Sequence, residues 1–300
     1  MALSTLRVQG LMFSASALIT AVLSLLLAPM TQQHELLLSS ALIVLLGVPH
    51  GALDPLFAQR LLQIDSCAAW LGFVALYLLL AALVVVVWWY SPLFFLIVFL
   101  AVSTLHFSGD LLSGATCPER LVYGGAVIVL PALGNSIELT RLFSQLVSAN
   151  AAMPVVATLQ LISWPWLLAL LLLVLRSARR DVLHALEFMA VGLLIGIATP
   201  LLGFAIYFCV MHSPRHILRT QEYAGVTLRR MVLVAILPLL AVLGFSVLGW
   251  YFLPPSTVDE RMLQLLFVTL AALTLPHMVL VERARFSDWQ RPAMAGPLSV

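Results

Sequence analysis

Sustained apolar runs of about 18 residues or more recur along the whole chain, each long enough to cross the roughly 30 Å of a bilayer's hydrocarbon core. In hydrocarbon the backbone N–H and C=O groups find no water, so such runs close their hydrogen bonds within a helix. Only 9% of the 300 residues are charged and 62% are hydrophobic, whereas a soluble domain carries about 25% charged residues. The expected fold is therefore all-α, a polytopic transmembrane helical bundle. No polar stretch is long enough for a soluble domain, so residues 1–300 read as a single membrane-embedded domain. The net charge of +2 selects no partner, and nucleic acid is not among those expected. Cys67, Cys117 and Cys209 are widely spaced, which supports neither a disulfide framework nor a thiolate metal site. Arg7 and the apolar stretch behind it imitate a secretory signal, but with no clear cleavage site they read as a retained first helix.

About ten spans can be laid out, eight to ten depending on two short ones. They cover roughly 10–28, 36–53, 70–90, 93–107, 121–135, 155–176, 183–200, 202–218, 231–253 and 263–281, with Pro29, Pro92, Pro200 and Pro254–Pro255 as breakers between them. The spans at 93–107 and 121–135 are the short ones. All 15 basic residues are arginine, and arginine concentrates in cytoplasmic connections. With the N-terminus inside, the inner segments hold Arg7, Arg60, Arg120, Arg176, Arg179, Arg180, Arg215, Arg219, Arg229, Arg230, Arg283, Arg285 and Arg291, and the outer ones only Arg141 and Arg261. This bias predicts a multi-pass protein of the cell inner membrane with both termini cytoplasmic.

The same layout sorts the seven histidines. His50 ends span 2, His106 ends span 4, His212 and His216 end span 8, and His277 ends span 10; each of these spans runs from outside to inside. Five imidazoles thus converge at the cytoplasmic end of the bundle, while His34 and His184 fall in connections. Ionisable groups at membrane depth are costly and mark function. Neutral imidazole suits zinc, copper, iron and nickel. A lone histidine at a helix end is more often an interfacial or hydrogen-bonded residue, but convergence of five favours a metal site. Asp54 follows His50 by four residues and Asp110 follows His106 by four, so each is a candidate to orient its histidine or to ligate metal itself. Glu187, inside span 7, is a further candidate for a supporting carboxylate.

The segments Pro49-His50-Gly51-Ala52-Leu53-Asp54, His106-Phe107, Tyr207-Phe208-Cys209-Val210-Met211-His212-Ser213-Pro214-Arg215-His216 and Pro276-His277-Met278 resemble, in the same order, those of the bacterial β-carotene 15,15′-dioxygenase family of the Brp/Blh type. The chain departs from the family pattern at Ser108-Gly109-Asp110, where glycine followed by acidic residues is expected. The resemblance implies a non-haem Fe(II) enzyme that splits the central double bond of β-carotene, or a related carotenoid, with O2 to give retinal. It carries the catalytic and metal-binding roles to His50, His106, His212 and His216, and leaves His277 as an extra ligand, a supporting group or a substrate contact. The implied partners are the carotenoid, O2, the lipid bilayer and a retinal-binding rhodopsin that takes the product. Phe57, Phe107, Tyr207 and Phe208, nearest the histidines in sequence, are the expected lining of a substrate tunnel. Three other readings compete. A di-iron hydroxylase needs about eight clustered histidines, more than this chain has. A transporter would spread its ionisable groups along the membrane depth. A catalytically silent factor for retinal-protein biogenesis would share the same motifs.

Overall fold

The computed structural model describes residues 2–111, 114–253 and 256–284. Pro254–Pro255 and the arginines at 285 and 291 lie outside these described residues. Every regular element among them is helical. Helix α1 spans Ala2–Leu26 and α2 spans Gln32–Leu42. The Thr31 side chain accepts the His34 N–H at the start of α2, and the His34 ring meets the same hydroxyl at 2.8 Å. Helix α2 then loosens into a π turn, Ile43–Gly47, and tightens into a 3-10 segment, Val48–Leu53, before α3 (Asp54–Leu62). Helix α4 (Cys67–Tyr90) begins at a Ser66 cap, and α5 (Pro92–Ser108) has proline in its first turn, where a missing N–H costs nothing.

Helix α6 (Cys117–Val129) opens with a capping box between Thr116 and Glu119. Short helices α7 (Pro131–Gly134) and α8 (Ser136–Ser144) follow, and then α9 (Ala149–Ala178). Asp181 caps α10 (Val182–Ile197) and also binds Arg7 of α1 at 3.1 Å. Partial burial works against its carboxylate, but the Leu183 N–H, His184 and Arg7 hold its pKa below the usual range. Helix α11 (Pro200–Ile206) runs through a second π turn, Tyr207–His212, into α12 (Ser213–Ala224). Helices α13 (Leu228–Phe252) and α14 (Val258–Ala284) complete the described chain.

Six of these helices are long and apolar enough to cross a membrane: Thr5–Leu26, Gln32–Leu62, Cys67–Tyr90, Ala149–Ala178, Leu228–Phe252 and Val258–Arg283. A seventh is obtained if Cys117–Gly134 and Ser136–Ser144, bent by 109°, are taken as one span. The apolar runs expected to cross at 93–107 and 183–200 form shorter helices, Pro92–Ser108 and Val182–Ile197. The run at 121–135 ends where Pro131 and Gly134 break the helix. The run at 202–218 continues into the polar α12, which carries Arg215, Arg219 and Glu222. Counting apolar runs does not separate a bilayer-length helix from a shorter one buried among its neighbours.

The main core lies where α1, α6, α10 and the Tyr207–His212 turn meet, around Phe13, Tyr123, Phe188 and Tyr207. Helix α5 is drawn hard against α6 by Gly124, where an added Cβ would sit 2.3 Å from the Thr104 carbonyl oxygen and 2.5 Å from the Ser108 nitrogen. Both are backbone atoms, so the neighbour cannot swing away. Because α5 carries His106, Gly124→Ala is expected to destabilise the fold by about 1–3 kcal/mol, an overpacking cost, and to displace His106. Thermal unfolding of the purified protein reads the first effect. Reduced metal content of the folded fraction reads the second.

Candidate metal centre

Two helix irregularities build the site, and both follow from proline. In an uninterrupted helix the Val210 carbonyl would accept from the N–H of residue 214, which as proline has none. The Gln9 amide of α1 reaches in and donates to the Val210 and Met211 carbonyls at 2.8 and 3.2 Å. Pro49 stands at the matching place in the other irregular segment, where the π turn gives way to 3-10 geometry. There Ser213 donates its hydroxyl to the Leu46 carbonyl at 2.6 Å, tying the two segments together. Such widened turns recur at functional sites because they re-aim side chains. Here they aim His50 and His212 at each other.

The five histidines expected to converge do so. Ring centroids of His106 and His212 lie 4.5 Å apart, His50 and His212 4.8 Å, His216 and His277 5.0 Å, His50 and His277 5.2 Å, and His106 and His277 5.3 Å. All five are buried. His50, His106 and His277 each offer a ring nitrogen within 4.8 Å of the other two, a grouping able to hold a metal ion. His34 and His184 stay outside the cluster, at the starts of α2 and α10.

Three of the outer nitrogens are fixed by acceptors. His50 donates from Nδ1 to the Gly47 carbonyl at 2.5 Å, and an added Cβ at Gly47 would lie 2.4 Å from the Phe208 ring. His212 donates from Nδ1 to both oxygens of Asp110 at 3.0 Å, and Tyr207 donates its hydroxyl to the same carboxylate at 2.5 Å. His277 donates from Nδ1 to Asp54 at 2.6 Å, and Tyr77 donates to the other Asp54 oxygen at 2.8 Å. The site therefore contains the same arrangement twice: tyrosine hydroxyl, buried carboxylate, imidazole. A carboxylate on Nδ1 fixes the tautomer and leaves Nε2 with its lone pair, as in metal-ligating histidines. The Nε2 atoms of His212 and His277 are buried with no hydrogen-bond partner, which an apolar interior tolerates poorly unless something else fills the valence. These donors fit a metal ion that prefers neutral imidazole.

Sequence spacing pairs Asp54 with His50 and Asp110 with His106; the structure pairs them with His277 and His212 instead. The i, i+4 rule holds within one α-helix, whereas a 3-10 segment separates His50 from Asp54 and α5 ends between His106 and Asp110. Tyr77 and Gln9 escape sequence reasoning, although each is a polar group inside an apolar run. Tyr207, expected in a tunnel, binds Asp110. Phe208 stacks on His212 at 5.4 Å, Phe107 meets the same ring edge-on at 5.1 Å, and Phe57 lies between His216 and Tyr223.

Glu187 does not face the histidines. It forms a fully buried ion pair with Arg215 at 2.7 Å, and an added Cβ at Gly10 would lie 2.0 Å from its oxygen. The Arg215 guanidinium also donates to Gln9 and to the Asp110 carbonyl, each at 2.8 Å. Arg219 donates to the carbonyls of Gly109, Asp110 and Leu111. Arg215, counted by sequence among the cytoplasmic-loop arginines, is thus an interior residue that clamps the Asp110 backbone.

A buried polyhistidine cluster with carboxylates behind its imidazoles, in a chain of bilayer-length helices, defines a helical protein with a candidate metal centre. The chain belongs to the β-carotene 15,15′-dioxygenase family, whose model matches residues 41–284. It is 32% identical over 254 residues to the β-carotene 15,15′-dioxygenase of an uncultured marine bacterium, covering 81% of this chain and 91% of that protein. A probable β-carotene 15,15′-dioxygenase, Blh, from Halobacterium salinarum is 28% identical, with 88% of each chain covered. No solved structure matches the chain significantly.

Glu187→Gln removes the countercharge of a buried guanidinium, and breaking such a pair costs about 3–5 kcal/mol. A lower unfolding midpoint is expected. Arg215→Met combined with Glu187→Leu is expected to regain part of that loss in the same thermal measurement, because no unpaired charge is left inside.

Proposed function

We propose that this chain is a non-haem iron dioxygenase that cleaves β-carotene, or a related carotenoid, at its central double bond with O2 to give retinal. The observation that carries this reading is the buried cluster of five imidazoles, three of them grouped closely enough to hold a metal ion, inside the stretch that the family model matches. His50, His106, His212 and His216 are the metal-binding and catalytic residues implied by the motifs. The geometry adds His277, whose ring nitrogens stand with those of His50 and His106. Fe(II), when bound, supplies the redox chemistry toward O2 that no amino-acid side chain can.

The chain's own residues do the rest. Asp54 and Asp110 hold the Nδ1 protons of His277 and His212, so that each Nε2 is aimed inward as a lone-pair donor. Tyr77 and Tyr207 fix the orientation of those carboxylates. Phe57, Phe107 and Phe208 close apolar walls around the rings and keep water from competing at the site.

Residues 1–300 act as a single membrane-embedded domain in the cell inner membrane. The shorter helices α5 and α10, the bent α6–α8 unit and the segment from α11 to α12 join the six long helices to make about ten crossings, with both termini cytoplasmic. The distribution of arginines supports this orientation. A lipid-dissolved polyene reaches the site from the bilayer, and a retinal-binding rhodopsin is the fitting acceptor of the product. The paired carboxylates hold two imidazoles in fixed orientations, which supports a metal centre over a transport pathway, and the named relatives favour cleavage over a silent biogenesis factor.

The test measures iron in the purified protein together with β-carotene loss and retinal formation under oxygen. Stoichiometric iron with retinal appearing is expected; iron-free protein that retains full cleavage overturns the reading. Replacing any one of His50, His106, His212, His216 or His277 by alanine is expected to abolish cleavage. Asp54→Asn and Asp110→Asn are expected to lower iron affinity or activity about 10–100-fold, the usual effect of removing a group that orients a metal ligand. Metal analysis and product chromatography on the same samples check both.

A further inference from the structure

A large apolar cavity among the described residues is not lined by Phe57, Phe107, Tyr207 or Phe208. It is a crevice of about 860 Å³ between α4, α13 and α14, walled almost wholly by apolar side chains. Ligand pockets commonly occupy about 300–1,000 Å³. Small residues make its width, with Ala81 on α4, Gly249 on α13 and Ala272 on α14 facing the space. Along α4 it runs from Tyr77 to Trp89, roughly 18 Å at the rise of an α-helix.

Its inner end lies behind the histidine cluster, linked to it through one hydrogen-bonded chain. Tyr77, a lining residue, donates its hydroxyl to Asp54, and Asp54 holds His277. Leu273, also lining, precedes His277 by one helical turn on α14. Away from the histidines the crevice extends toward Trp88, Trp89 and Phe252, near the ends of α4 and α13 where aromatic residues mark a bilayer interface. An apolar slot with one end at Tyr77, one carboxylate away from His277, and the other among Trp88, Trp89 and Phe252 is shaped for one arm of a long linear polyene. A lipid acyl chain would fit the walls equally, and what favours the polyene is the Tyr77–Asp54–His277 chain of hydrogen bonds at the inner end. The second mapped cavity in the apolar core, bounded by Leu96, Phe204 and Phe267, holds only about 70 Å³ and is too small for such a chain.

We infer that the crevice between α4, α13 and α14 is the binding site for one arm of the carotenoid, with Tyr77 at its inner end coupling substrate position to the Asp54–His277 pair. This rests on the proposed carotenoid substrate. The site places the bond to be cleaved beside the histidines by the length of chain the crevice accepts. Recognition is by shape and apolar area along the arm, so an obstruction in the slot weakens binding without touching the histidines.

The test uses the full iron-loaded chain in lipid nanodiscs, with Ala81→Phe and Ala272→Phe obstructing the crevice from opposite walls. Leu83→Phe, on the exposed side of α4 and outside the crevice, is the control. Binding is read without turnover, as the circular dichroism induced in the visible band of β-carotene under anaerobic conditions; kcat and KM are then measured in oxygen. Both crevice variants are expected to keep their iron, lose the induced band and raise KM at least tenfold, while Leu83→Phe behaves as the parent. An induced band and a KM matching the parent in both crevice variants would overturn the assignment and leave the slot to lipid, with the proposed reaction intact. A parent protein that binds β-carotene through the crevice but forms no retinal would sustain the binding site and sink the reaction. A parent that neither binds nor cleaves it would sink both.

Discussion

The Arg215 guanidinium holds the histidine cluster in place from behind. It is fully buried, and its donors reach Gln9 on α1, Glu187 on α10 and the backbone at Asp110. A charge in that position is tolerable only when every donor is met and a countercharge is adjacent. The three elements that meet those needs are fixed relative to α12, which carries His216, and to the turn that carries His212. Asp110, held on its backbone by Arg215 and Arg219, can then present both carboxylate oxygens to His212 and Tyr207. The imidazoles inherit their positions from an ion pair that never touches them.

The irregular turns express the same requirement at the level of the backbone. Pro214 takes a donor away in the middle of an apolar bundle, where water cannot replace it. Gln9 supplies the missing hydrogen bond from a helix some two hundred residues earlier in the chain. Helix distortion, a buried amide and an inward histidine therefore go together. A Gln9 variant would disturb the site although its side chain contacts no histidine ring in the hydrogen-bond network.

Much of this was legible before any coordinates. Apolar runs give the helical class, and the span layout brings together His50, His106, His212, His216 and His277, whose rings do cluster. What sequence could not supply was pairing across distance. Asp54 and Asp110 were read with the nearest histidine in the chain, and both bind another one, because the local segments are not plain α-helix. Arg215 looked like a loop cation, since nothing in its neighbours announces a Glu187 waiting inside α10. Tyr77 looked like one more aromatic in a greasy span. The number of spans is not settled by hydropathy either: it measures how apolar a run is, and α5 and α10 are apolar runs that form helices shorter than the six long ones.

The contact between Asp54 and His277 spans 223 residues, and the one between Gln9 and Arg215 spans 206. No fragment that emerges early during synthesis can contain a finished site. The first helices must sit in the bilayer with Gln9, His50 and Asp54 unsatisfied until α12 and α14 arrive, the slow, non-local kind of closure that raises folding times. The histidines proposed to hold the metal come from segments that meet only when α14 is in place. Under that proposal, metal would be loaded after the bundle closes and would stabilise only the assembled fold.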